Sequence, residues 1–153
     1  MKVFSIQQTA RLGCSTDTIR NCSIGSTPRE PDEIFREGFK PLTDKAPASL
    51  RFYELVHHAG DSGTGFVSTT RSPWWESSPD WFRRPDSLIY RYVIKAPGGI
   101  DLMATLGAKS FVKQQEVVFW KGIRPEYIDR LEVVNSKGEV VDVKKRSDWS
   151  AQQ

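Results

Sequence analysis

The sequence predicts an α+β fold built mainly from antiparallel strands. Helix signals come early in the chain, strand signals come late, and few segments read as crossovers between parallel strands. At 153 residues the chain predicts one domain, spanning 1–153, with 1–15 and 145–153 as its looser ends. Apolar residues make up 38% of it, enough for a real core.

Residues 1–25 read as polar and irregular, apart from a strand around Val3–Ile6. A short helix follows. Ser26 or Thr27 offers its cap, Pro31 fits the first turn, Asp32 and Glu33 suit the positive end, and Gly38 stops it. Ile34 and Phe35 anchor this helix, with Phe39 closing behind. A second helix is expected over 47–59, with Leu50, Tyr53 and Leu55 or Val56 as its buried stripe and Gly60 at its end.

Phe66–Thr70 reads as a strand with a hydroxyl-rich end. Residues 71–86 form a long loop holding Trp74, Trp75 and Trp81. Large rings are unusual in loops, so these either fold back on the core or form a lid or target-contact surface. Ser87–Lys95 alternates, with Leu88, Tyr90, Tyr92 and Ile94 on one face and Arg91 and Lys95 on the other. Ile100–Ala104 reads as a further short strand, and the loop 105–113 leads into a strand at Gln115–Trp120. After a turn at Arg124–Ile128, strands at Arg130–Val134 and Glu139–Lys144 flank Asn135–Gly138 as a hairpin.

Composition narrows the function classes. A formal charge of +3 permits an anionic partner without requiring one. The basic run Lys144–Arg146 reads as a solvated tail. No apolar run approaches the roughly eighteen residues of a membrane span, and Met1–Thr18 lacks the apolar centre of a secretory signal. Cys14 and Cys22 either close one small disulfide loop or stay as free thiols. His57 and His58 are adjacent and distant from both cysteines, so no metal site is expected.

The chemistry concentrates between Phe111 and Trp120. Gln114 and Glu116 lie two apart where a polar loop becomes an apolar strand, a spacing that puts both side chains on one strand face. An amide and a carboxylate side by side suit gripping a sugar hydroxyl and stabilising positive charge.

Four segments in order carry a resemblance: Arg29–Phe39, Phe66–Thr70, Tyr90–Asp101, and Phe111–Glu116 followed by Gly122–Ile128. Together they resemble the bacterial mono-ADP-ribosyltransferase toxins, in the branch that includes pierisin, scabin and the cholera and pertussis toxin catalytic chains. The resemblance implies two sheets clasping NAD in a cleft, with no metal. It implies a secreted or translocated toxin that breaks the bond between nicotinamide and ribose through an oxocarbenium-like transition state. Glu116 would bind the ribose 2′-hydroxyl and stabilise the cation. Gln114 would orient the acceptor, and a neutral amide there goes with guanine in DNA or RNA, or with asparagine in proteins. Ser68 would hold Glu116 or the ribose, and Thr69 would help fix the strand beside the cofactor. Phe111, Trp74 and Trp75 would face the target. The family's phosphate-binding arginine corresponds to Arg20, with residues 24–28 looped out, or else to Arg29. A rival reading is a non-catalytic module that keeps the fold and binds a nucleotide or a partner.

Overall fold

The computed structural model describes residues 4–9, 29–41, 65–71, 88–107 and 115–150. The helix expected over 47–59, the tryptophan loop and both cysteines lie outside them. Strands β1 (Phe4–Thr9), β2 (Phe66–Thr70), β3 (Ile89–Ile94), β4 (Ile100–Asp101), β5 (Glu116–Trp120), β6 (Ile128–Val134) and β7 (Val140–Lys145) are joined in the order β4-β5-β2-β1-β3-β6-β7. Every pairing is antiparallel. β1 and β2 meet at a single pair, Ser5↔Thr70, so the strands form two leaves: β4-β5-β2 and β1-β3-β6-β7.

Helix α1 (Pro31–Glu37) starts with Pro31 preorganised for the first turn and carries Asp32 and Glu33 at its positive end. Its cap does not fall at Ser26 or Thr27, the positions expected from sequence, which lie outside the described residues. The cap position is Glu30, in extended backbone and without a side-chain cap bond. α1 buries Ile34 and Phe35 in a cluster that joins the two leaves through Val67, Val117, Tyr92 and Leu131. Phe39 packs edge-on against Tyr92 at 5.2 Å between centroids. Burial pushes the Tyr92 hydroxyl well above its ordinary range.

A close approach behind α1 depends on two glycines. Phe39 and Ile123 exchange backbone hydrogen bonds of 2.9 and 2.8 Å. A Cβ on Gly38 would stand 2.1 Å from the Ile123 carbonyl oxygen, and one on Gly122 would stand 2.3 Å from that of Phe39. Gly38 also has φ 74 and ψ −164, a region essentially reserved for glycine.

Two sequence expectations are corrected. Strand β3 is buried on both faces: Tyr92 and Ile94 lie in the α1 cluster, and Ile89 and Val93 on the opposite face are buried as well. The strand expected over Ile100–Ala104 stops at Asp101. The Asp101 side chain accepts a 3.0 Å bond from the Ala104 N–H and starts helix α2 (Leu102–Leu106). β1 is an inner strand, and residues 146–150 form helix α3 (Arg146–Ser150). Its Trp149 stacks on Phe35 at 4.8 Å, and Arg146 donates to the Pro125 carbonyl. Lys144 and Lys145 are exposed as expected, but on β7 rather than in a tail.

Gly38→Ala is expected to cost about 3 kcal/mol or more, from forbidden backbone and a clash with Ile123. Urea unfolding checks it, and a midpoint equal to the parent's would remove the role given to this joint.

Candidate active site

β5 lies between β4 and β2, with the register Thr70↔Glu116, Thr69↔Val117 and Ser68↔Val118 on one side and Asp101↔Val117 on the other. Alternation assigns the faces. Val67, Val117 and Phe119 belong to the α1 cluster. Phe66 and Val118 belong to a second cluster with Leu102 and Leu106 of α2. Ser68 and Glu116 therefore emerge on the α2 side, as diagonal neighbours across the strand pair.

They are in contact. The Ser68 hydroxyl donates to Glu116 Oε1 at 2.6 Å, a length typical of a hydroxyl held by a carboxylate. Glu116 is 8% exposed, so its carboxylate is fixed in a largely dry entrance rather than sampling solvent.

Thr69 does not share that face. Its hydroxyl is buried and donates to the Val117 carbonyl at 2.7 Å. It serves the β2–β5 pair from the α1 side, the face opposite Ser68 and Glu116. Arg29 is engaged elsewhere too. Its guanidinium donates to the Gly38 carbonyl at 2.7 Å and lies 3.4 Å from Glu33 and 3.9 Å from Glu37. A phosphate at Arg29 would have to displace contacts that hold the end of α1. Arg20, Phe111, Gln114, Trp74 and Trp75 lie outside the described residues.

The geometry before Glu116 also differs from expectation. The strand begins at Glu116, and Gln115 is left-handed with φ 43. The extended pleat of β5 therefore starts at Glu116 rather than at Gln115. Two residues not singled out from sequence frame this entrance. Arg71, directly after β2, donates its N–H to the Gln115 carbonyl at 3.1 Å, and its guanidinium pairs with Asp101. The Ala104 N–H and then the Arg71 guanidinium hold the Asp101 carboxyl below its ordinary range. The available signal was an aspartate ahead of Leu-Met-Ala, a helix start inside what read as a strand.

A shallow hollow of about 590 Å³ lies at the other edge of the sheet, lined by Asp129, Arg130, Val143, Lys145, Arg146 and Ser147. Its Arg130 is already paired with Asp129 and Glu132, and it adjoins none of the β2–β5 residues. Among the described residues, no cluster of histidine, cysteine and carboxylates is suited to a metal ion, and no helix is long and apolar enough to cross a membrane.

Comparison with known proteins agrees with this arrangement. The model of the Scabin-like family matches residues 25–149. Pierisin of Pieris brassicae is 34% identical over 104 residues, which is 65% of this chain and 12% of pierisin. The catalytic domain of the mosquitocidal toxin from Bacillus sphaericus, solved as a point mutant, superimposes with a TM-score of 0.61 at 26% identity, covering 96% of this chain and 54% of that one. A guanine-specific ADP-ribosyltransferase solved with NADH and GDP gives a TM-score of 0.56 at 26% identity, over 80% of this chain and 73% of that one. The chain thus spans about an eighth of pierisin and about half of the mosquitocidal domain. The expected α+β fold is the one these catalytic domains share. With a match across most of its length, the chain belongs to the Scabin-like family.

Thr69→Val should lower stability by about 1–2 kcal/mol, through loss of a buried hydrogen bond beneath the site. An unchanged urea midpoint would show that this bond does not hold the strand pair.

Proposed function

We propose that this member of the Scabin-like family is an NAD-dependent mono-ADP-ribosyltransferase toxin that modifies guanine in nucleic acid. The observation that carries the reading is the Ser68–Glu116 hydrogen bond of 2.6 Å on one face of β2 and β5. A carboxylate held in place beside the ribose 2′-hydroxyl stabilises positive charge building at the adjacent anomeric carbon. The bond from that carbon to the nicotinamide nitrogen breaks. A guanine nitrogen bonds to the same carbon, and the acceptor's proton leaves to solvent. Water in the acceptor's place gives NAD hydrolysis as a side reaction.

Guanine is supported by Gln114, whose amide offers both a donor and an acceptor without charge, and by the guanine-specific relative solved with GDP. Phe111, Trp74 and Trp75 supply rings on which a base can stack, each worth roughly 1–3 kcal/mol. Arg20 is assigned to the NAD pyrophosphate, because Arg29 is tied to Gly38, Glu33 and Glu37. As a toxin, the protein acts inside a target cell.

Purified protein is expected to release nicotinamide from NAD, with Glu116→Gln lowering kcat about 10²–10³-fold and Ser68→Ala lowering it less. Absence of release by the parent, or full activity in Glu116→Gln, sinks the reading in favour of a binding module. Labelled NAD offered with duplex DNA, single-stranded DNA, RNA and cell lysate should label guanine-containing nucleic acid, and label confined to protein would overturn the acceptor. Arg20→Ala should raise KM for NAD more than Arg29→Ala, and the reverse order would reassign the phosphate contact.

A further inference from the structure

We propose that Arg71 is a positioning residue for this reaction, bracing the entrance of β5 from both sides so that Glu116 keeps its place. The inference rests on the proposed reaction for its consequence, but its geometry is independent of it. β2 ends at Thr70, opposite Glu116. Arg71 then continues the ladder by one step, donating its N–H to the Gln115 carbonyl at 3.1 Å. That bond falls on the residue with φ 43, a backbone conformation that is costly for a residue with a side chain.

The Arg71 side chain reaches the opposite flank. Its guanidinium pairs with Asp101, which is the register partner of Val117 on β4. The first residues of β5 thus lie between Thr70–Arg71 and Asp101, and the ion pair closes across them. Asp101 is also the cap of α2, accepting from the Ala104 N–H at 3.0 Å, while its carbonyl takes the Thr105 hydroxyl at 2.7 Å. Residues 108–114 connect α2 to Gln115. Arg71 therefore holds both roots of that connection: the far root by its backbone, and the near root through the α2 cap.

The pair is no loose surface contact. The Arg71 and Asp101 side chains are 30% and 27% exposed, and Asp101 is held by a backbone donor as well. Such a brace differs from general stabilisation in what it controls. It sets where the Glu116 carboxylate sits in the transition state, where an error of about 1 Å can cost as much as 100-fold.

The test separates capping from bracing. Asp101→Asn keeps a side-chain oxygen for the α2 cap and loses the charge that Arg71 needs. Asp101→Asn and Arg71→Gln should each lower kcat for nicotinamide release about 10–100-fold, with KM for NAD nearly unchanged. The double variant should be no worse than the poorer single, and Arg71→Lys should recover part of the loss. Amide hydrogen exchange at Glu116 and Val117 should quicken in Arg71→Gln while the centres of β3 and β6 keep their protection. A raised KM at unchanged kcat would make Arg71 a direct NAD contact and overturn the proposal. Activity loss that tracks the unfolded fraction, or unchanged exchange at the β5 entrance, would also overturn it. If the parent releases no nicotinamide, the proposed reaction fails, and the exchange measurement still decides the brace.

Discussion

The register of β2 on β5 is the constraint from which the site follows. Ser68 and Glu116 are 48 residues apart in sequence and meet only because Thr70 lies opposite Glu116. A slip of one residue in either strand would send one of the two to the α1 side. Polarity alone cannot prevent that slip, since this pair carries apolar residues on both faces: Val67, Val117 and Phe119 on one, Phe66 and Val118 on the other. Directed hydrogen bonds specify it instead. The Thr69 hydroxyl reaches the Val117 carbonyl in the middle of the pair. Backbone bonds close both ends, from Lys121 to Gly65 and from Arg71 to Gln115.

The other leaf supplies rigidity of a different kind. β3 is buried on both faces, and the charge it carries is neutralised in place. Arg91 stands opposite Glu132 on β6 and pairs with it at 2.6 Å, and Arg130 takes the second oxygen at 2.8 Å. Glu132 is thereby a buried carboxylate with both oxygens satisfied. Replacing one partner would strand a charge, so the triad specifies the β3–β6 register more than it adds net stability. The two leaves touch at one β1–β2 pair, and their firm connection is the α1 side. There Phe35 meets Tyr92 and Trp149, and the Gly38–Gly122 approach ties α1 to the segment following β5. The face of β2–β5 bearing Glu116 is the one that α1 leaves clear.

Much of this was legible in the residues. Phe66–Thr70 has the bounds the sequence suggested, and the hairpin at Asn135–Gly138 forms as expected, with the Asn135 side chain accepting from Lys137 and Glu139. The misreadings share a cause. At Ile100–Ala104, one capping aspartate outweighed an apolar run that suits strand and helix alike. The basic run at Lys144 looked like a tail because its anchors, Phe35 and Pro125, are distant in sequence. Pattern reveals which face a residue takes. It does not reveal which partner, many positions away, will occupy its polar atoms.

The left-handed residue at Gln115 marks the edge of the fixed part of the strand pair. A turn there costs of order 1 kcal/mol, and the Arg71 N–H keeps it in place. Glu116 then rests on a β2–β5 register that is held at both ends and in the middle. A single backbone dihedral, one residue ahead of the carboxylate, marks where that held register begins.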